Sequence, residues 1–255
     1  MTSSLPFKQE KYRQYRNTFL QDVVVGFTFA PSQVAREELN ARFADYTQRF
    51  FGVSNNGDIT ASVCNVSKKD LSLSFEFTNH SALIHLSGQK YECFSDTAIP
   101  QVFKIRDFFN KVVEVKGIEH SMIRKVNVFN IKVGNQIPLD VPAVRQSIFS
   151  PALLESLSVE GLDEQERDIP NFMKCNFKDV DVSITIRTAL LPPTADQDKF
   201  HHLVLDTMAV CKPEEGIKVE ELSDKLMDFN SVMYDCYHWC VSDQVKKVML
   251  DSLEK

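Results

Sequence analysis

Leu71, Leu73, Phe75 and Phe77 alternate with Ser72, Ser74, Glu76 and Thr78, and Val180, Val182, Ile184 and Ile186 alternate with Asp181, Ser183, Thr185 and Arg187. Period-two alternation places the apolar side chains of a strand on one face and the polar ones on the other. Parallel sheets, covered on both faces, read as continuous apolar runs instead, so these strands commit the chain to an antiparallel sheet with one buried and one wet face. Turn residues at Asn55-Asn56-Gly57-Asp58, Lys68-Lys69-Asp70 and Thr78-Asn79-His80 divide Ile59–Phe94 into short consecutive strands, a meander. Further strand patterns run over Leu20–Phe29, Ile118–Val133, Val180–Leu190 and Phe200–Val210.

Helical spacing appears between these strands. Ala35, Leu39, Phe43, Tyr46 and Phe50 share one face of a helix from about Gln33 to Phe51, which Gly52 stops. Val102, Ile105, Phe109 and Val112 repeat the pattern before Gly117. From Val219 a longer helix carries the stripe Leu222, Leu226, Phe229, Met233, Cys236 and Cys240. Such a stripe needs the sheet, or another copy of the chain, to cover it. The expected class is α+β: a curved antiparallel sheet packed on one side by helices, with a long C-terminal helix. A strand–Pro–helix unit recurs at 20–51 and 200–241, with a weaker version at 82–113, but residue identities barely match and no repeat is assigned.

Strands at both ends of the chain need partners, so 1–255 reads as a single domain. Within it, 1–17 reads as a surface arm. The stretch 137–170 reads as an irregular insertion with short helices, marked by Pro138, Pro142, Pro151 and Pro170 and by the acidic group Asp163, Glu164 and Glu166. Hydrophobic residues make up 43% of the 255 and charged residues 25%, which excludes disordered and collagenous classes. The net charge of −6 argues against a nucleic-acid partner. Only Lys8–Arg16, with Tyr12 and Tyr15 among its basic residues, resembles a nucleic-acid element. Met1–Phe7 lacks a signal-peptide pattern and no apolar run approaches the ~20 residues that span a bilayer, so a cytoplasmic protein without a membrane partner is expected. The six cysteines form no CxxC pair and are expected to be reduced.

Candidate chemistry is sparse. With 8 glycines, and without Gly-x-Ser-x-Gly, HExxH or a Walker-type loop, the common nucleotide enzymes and hydrolases find no support, and no cofactor is expected. His201-His202 with Asp206, and Cys236-x-His238-x-Cys240, concentrate metal-ligand residue types. On a strand only His202 shares a face with Asp206, and Cys236 and Cys240 are the last members of the apolar stripe, so core packing is the expectation and no metal is assigned. Arg124 and Asn127 are polar residues inside an apolar strand, three positions apart and therefore on opposite faces, and each needs solvent or a partner. Tyr237 and Trp239 lie off the helix stripe, where aromatics anchor interfaces with a second chain.

Three segments carry a likeness to a known family. Leu20-Gln21-Asp22-Val23-Val24-Val25-Gly26-Phe27-Thr28-Phe29 is similar to its opening strand, Ile123-Arg124-Lys125-Val126-Asn127-Val128-Phe129-Asn130-Ile131 to its central Leu-Arg-Tyr-x-Asn-x-Ile strand, and Val241-Ser242-Asp243 to its Ile-Thr-Asp near the C-terminus. The chain thus resembles a sporadically distributed bacterial family of uncharacterised proteins. Lys125 stands where that family has an aromatic, and Asp228-Phe229-Asn230 where it has a His-Glu pair. The resemblance implies one whole-length unit, no established reaction, and a distribution that suits mobile genomic islands and anti-phage systems.

The function expected from these features is that of a non-enzymatic protein-interaction or accessory protein, with Arg124, Asn127, Tyr237 and Trp239 as binding candidates. The 19 Phe exceed what a core of this size calls for and leave aromatics for a binding groove that takes a protein partner or a second copy. The sheet-plus-helix design is similar, at the level of fold alone, to that of SecB-type export chaperones, which bind extended segments. The alternative is a hydrolase or nuclease working through His202 and Asp206, which requires at least three of Asp206, His202, Asp181 and Arg187 to converge.

Overall fold

A computed structural model describes residues 5–8, 19–30, 37–38, 41–42, 62–68, 71–77, 80–88, 117, 119–132, 140–159, 172–179, 181–193 and 200–250. Its strands are β1 (Leu20–Thr28), β2 (Ser62–Lys68), β3 (Leu71–Phe77), β4 (Ser81–Gly88), β5 (His120–Lys132), β6 (Ser158–Val159), β7 (Phe172–Lys178), β8 (Val182–Leu191) and β9 (Phe200–Cys211). Its helices are α1 (Val141–Ile148), α2 (Pro151–Ser156), α3 (Leu222–Cys240) and α4 (Asp243–Leu250), with a 3-10 turn at Val219–Glu221 before α3. The class is α+β, as the alternation requires.

The strands form one open sheet in the order β2-β3-β4-β1-β5-β9-β8-β7-β6. All pairings between these strands are antiparallel. Read inward from either side, three meander strands lead to a central one: β2-β3-β4 to β1, and β7-β8-β9 to β5. The two halves meet in the β1·β5 pair, which relates them by an approximate two-fold. In this topology β9 corresponds to β4, not to β1. The counterpart of the 200–241 unit is therefore the weaker 82–113 version rather than 20–51.

One sheet face carries the core. Val23, Val25 and Phe27 of β1, Ile123 and Phe129 of β5, Leu203, Leu205 and Ala209 of β9, and Ile184 and Ile186 of β8 are all buried there. The α3 stripe lies over them, with Leu222, Leu226, Phe229, Met233, Cys236 and Cys240 each at most 5% exposed. Its 3.6-residue period turned every member toward the sheet. Of the helix expected over 33–51, Glu37, Glu38, Ala41 and Arg42 are helical, and Arg42 pairs with Glu38 one turn earlier. Its apolar stripe and the whole of the helix expected over 102–112 lie outside the described residues.

Within 137–170 the prolines have a more specific use than breaking structure. Pro142 and Pro151 occupy the first turns of α1 and α2, where a missing N–H costs nothing. Asp140 caps α1 through Ala143 N–H, and Ser150 caps α2 through Leu153 N–H. Three elements were not anticipated, the two-residue β6 among them. In β7, Met173, Cys175 and Phe177 alternate with Lys174, Asn176 and Lys178, a pattern hidden between Pro170 and the next strand. Helix α4 follows after Ser242, which caps it through Val245 N–H.

The α1–α2 and α3–α4 junctions clasp one another. Ser150 N–H donates to Cys240 O and Ser242 N–H to Ile148 O, both at 2.8 Å. The two capping hydroxyls add a second layer: Ser150 Oγ donates to Trp239 O and Ser242 Oγ to Ser147 O, both at 2.6 Å. Each hydroxyl thus accepts a helix cap and donates across the junction. Ser150→Ala and Ser242→Ala are each expected to cost about 1–2 kcal/mol, the sum of a lost cap and a lost hydrogen bond. Denaturant titration checks this, and values within about 0.3 kcal/mol of wild type would refute the clasp as a stabilising feature.

Candidate functional site

The second sheet face, away from α3, carries the polar partners of the alternation. In the β1·β5 half-sheets the register sets Val24 opposite Arg124 and His85, Arg124 opposite Met208, Asp206 opposite Arg187, and Arg187 opposite Lys174. From β5 to β7 the charged residues Arg124, Asp206, Arg187 and Lys174 therefore form a line across the middle of this face. Arg124 grips Asp206 through two parallel bonds, Nε to Oδ1 and Nη2 to Oδ2, both 2.8 Å. The Arg124 side chain is 44% exposed and that of Asp206 13%. The bond to Asp206 raises the Arg124 pKa, against the opposing effect of burial, and the charges of Asp206 and Asp22 add to the rise.

On the other half of the sheet, His85 Nε2 lies 3.2 Å from Asp22 Oδ1. The two pairs have the same geometry. Asp22 reaches the residue two before its register partner Ser87, and Arg124 the residue two before its register partner Met208. The approximate two-fold thus relates Asp22–His85 to Arg124–Asp206 with the acidic and basic positions exchanged. Between the pairs, Gly26 keeps β1 low: a Cβ there would stand 2.9 Å from Leu83 Cδ2 and 3.0 Å from Met122 Cε.

Around the charged line, Val24, Met122, Val126, Val128, Val204, Met208 and Val210 are half-buried. At the β8–β9 end, Leu191 is 45% exposed and Phe200 36%, and His202 Nδ1 lies 2.9 Å from Asn130 Oδ1. His202 shares the face of Asp206, as the alternation requires, yet sits four residues along β9, on the order of 13 Å away. Asp181 precedes β8 at the opposite end, where Lys212 N–H donates to its carbonyl. Of the four residues required to converge for an enzyme site, only Asp206 and Arg187 are neighbours.

The remaining candidates lie elsewhere. Asn127 faces the helices and is 4% exposed, on the opposite side of β5 from Arg124. Beside it Lys125 Nζ donates to Asn230 Oδ1 at 2.7 Å. Trp239 stacks edge-on with Phe7 and Phe177, at 5.4 Å from each, and the Tyr237 hydroxyl donates to Met249 Sδ on α4 at 3.4 Å. Both aromatics are half-buried against their own chain, on an N-terminal residue and on a helix that the sequence pattern did not reveal. Apart from residues 5–8, the 1–17 arm lies outside the described residues.

Cys175 on β7 and Cys236 and Cys240 on α3 are buried together. Burial pushes the Cys175 thiol up to about 12 and raises that of Cys240 well above its ordinary value, with the hydrogen bond to Cys236 adding to the latter. Cys175 and Cys240 are protonated packing groups at neutral pH. Among the described residues, no three His, Cys, Asp or Glu side chains are grouped to hold a metal. A cleft of about 410 Å³ opens where β1, β5 and β9 end, lined by Glu119, His120, Lys212, Glu214 and Glu215 among others. His120 Nδ1 is 2.7 Å from Thr28 Oγ1. No sequence pattern pointed to this cleft, because its residues come from three separate strand ends.

Arg124→Leu is expected to cost about 1–3 kcal/mol, because it leaves a mostly buried carboxylate without its guanidinium. The double variant R124L/D206L should recover most of that loss, since removing both partners avoids the unpaired charge. A double-mutant cycle by denaturant unfolding measures it, and simple additivity would show that the pair is energetically unimportant. No protein-family model matches the chain, and a search of curated proteins finds no match.

Proposed function

We propose that this chain is a non-enzymatic interaction protein that receives a protein partner on the open face of its sheet. The observation that carries the reading is the state of the open-face groups. Asp206, the carboxylate on which a hydrolytic mechanism would depend, accepts two bonds from Arg124 in a closed pair. Such a carboxylate is a poor general base, because its lone pairs are spent on the guanidinium. The same face offers half-buried Val and Met side chains around fixed charges, a mixture suited to a partner that needs both apolar contact and register. The sporadic bacterial family that the sequence resembles suggests mobile genomic islands, anti-phage systems among them, as the setting.

The test is affinity capture from host lysate with wild type, Met208→Arg at the centre of the face, and Val248→Arg on α4 as control, after circular dichroism shows all three folded. A partner held by wild type and the control but lost from Met208→Arg supports the reading. Identical captured proteins in all three, or a hydrolytic activity abolished by Asp206→Asn, would overturn it.

A further inference from the structure

Three free thiols are gathered where the C-terminal turns of α3 cross β7. Cys175 is 8% exposed, and Cys236 and Cys240 are 0%. The ring contact of Phe177 with Trp239 sets the end of the helix over β7, and Cys175 shares the core side of that strand with Phe177, two residues on. Cys236 and Cys240 lie one turn apart on the stripe that faces the sheet. Cys236 is the middle member: it is hydrogen-bonded to Cys240 and within electrostatic reach of Cys175. Only the two-residue β6 lies beyond β7 in the described sheet, and Met173 and Phe177 on the core side of β7 are half-buried. The N-terminal segment adds the outer cover. Phe7 stands edge-on to Phe177 and Trp239, at 5.5 Å and 5.4 Å, and Leu5 packs against the same core.

We infer that residues 5–8 form a strap over this thiol cluster, and that release of Phe7 opens Cys175 to oxidation by a peroxide and to disulfide formation with Cys236. The device stands apart from the interaction reading above and does not depend on it. Leu5 and Phe7 are half-buried while Pro6 and Lys8 are exposed, so the strap opens at lower cost than the core beneath it. While it is seated, burial keeps the Cys175 thiol protonated and out of reach of reagents. Once it lifts, water reaches the sulfur and a fraction ionises. The Cys175 thiolate then attacks hydrogen peroxide and takes one oxygen, and the hydroxide that leaves combines with the proton released by the thiol to give water. The resulting sulfenic acid condenses with the Cys236 thiol, forming the S–S bond and releasing a second water. Two thiols have lost two protons and two electrons, and one peroxide has become two waters. The new bond ties β7 to α3.

The test exposes the full chain to N-ethylmaleimide for timed intervals and reads each cysteine by peptide mass spectrometry, with Cys211 as internal reference. Cys211 is equally buried, at 5% exposed, and burial likewise pushes its thiol up, to about 11, but it lies on β9, two strands from β7. Phe7→Ala is expected to raise the labelling rate of Cys175 at least about tenfold and that of Cys211 less than about threefold, because only the strap has opened. Phe7→Leu, which keeps an apolar plug, should label more slowly than Phe7→Ala. Circular dichroism confirms that each variant is folded. Hydrogen peroxide should then link Cys175 to Cys236 faster in Phe7→Ala than in wild type, and in Cys236→Ser leave Cys175 as a sulfenic acid that dimedone traps. Equal acceleration of Cys175 and Cys211 would mark global unfolding and overturn the inference. Cys175 labelling unchanged by Phe7→Ala, or a peroxide-formed link that omits Cys175 or Cys236, would overturn it as well.

Discussion

Replacing Phe149 with Ala is expected to remove about 3–5 kcal/mol of stability, the usual cost of truncating a fully buried aromatic. Phe149 is 0% exposed, stands edge-on to Phe129 of β5 at 6.3 Å, and bridges to Val241 at the junction of α3 and α4. It therefore joins three parts of the core: the central strand, the short helices and the C-terminal helices. A cavity there cannot be refilled by one neighbour, because the clasp fixes the backbone on both sides through Ser150 and Ser242. The unfolding midpoint should fall by on the order of 10 °C, whereas Phe149→Leu should lose less than half as much. A loss below about 1 kcal/mol for the alanine variant would mean that the junction repacks freely.

Trp239→Ala is expected to cost about 2–4 kcal/mol, somewhat less than a full core truncation because the indole is half-buried. The indole lies between Phe7 and Phe177, whose rings are themselves 5.5 Å apart in an edge-on contact. Its removal takes away two of the three contacts in this aromatic trio and leaves Phe7 with Phe177 alone. Trypsin should then cut after Lys8 faster than in wild type. Thermal unfolding and a timed digest measure the two effects. Unchanged cleavage would show that Phe7 is held by other contacts. If the indole instead anchored a second chain, Trp239→Ala would shift the sedimentation coefficient while leaving the digest unaltered.

Much of the fold was legible because it depends on local periodicity. The stripe Leu222 to Cys240 and the alternation at 71–77 and 182–191 each decide, from residue spacing alone, which side chains face a core, and the structure buries the whole α3 stripe. Helix α4 escaped notice because its apolar positions Val245 and Met249 are only two on a short element, and its cap at Ser242 reads as a cap only once a helix is known to follow. Strand β7 was hidden for a similar reason, since seven residues between a proline and another strand give too little pattern to separate from loop.

The site was legible one face at a time. Alternation put Arg124 and Asn127 on opposite sides of their strand, and His202 with Asp206 on one, and the structure agrees on both counts. Spacing along a strand, however, carries no information about which strand lies beside it. That Arg124 meets Asp206, 82 positions away in sequence, follows from β9 pairing with β5 rather than with its chain neighbour alone. The same pairing separates Asp181 and His202 at opposite ends of the face and gathers Arg187 and Lys174 beside Asp206.

Sequence by itself determined the class, the antiparallel pairing, the division of strands such as β8 into a core and a wet side, and the burial of the C-terminal stripe, because all of these are set by residues within a few positions of one another. Strand order, the approximate two-fold that joins β1 to β5, the intrachain packing of Trp239 and the line of charges across the open face were decided only by tertiary structure. Their physical reason is common to all: each depends on the register between segments tens of residues apart, and that register is fixed by the packing of the whole core, not by any local pattern.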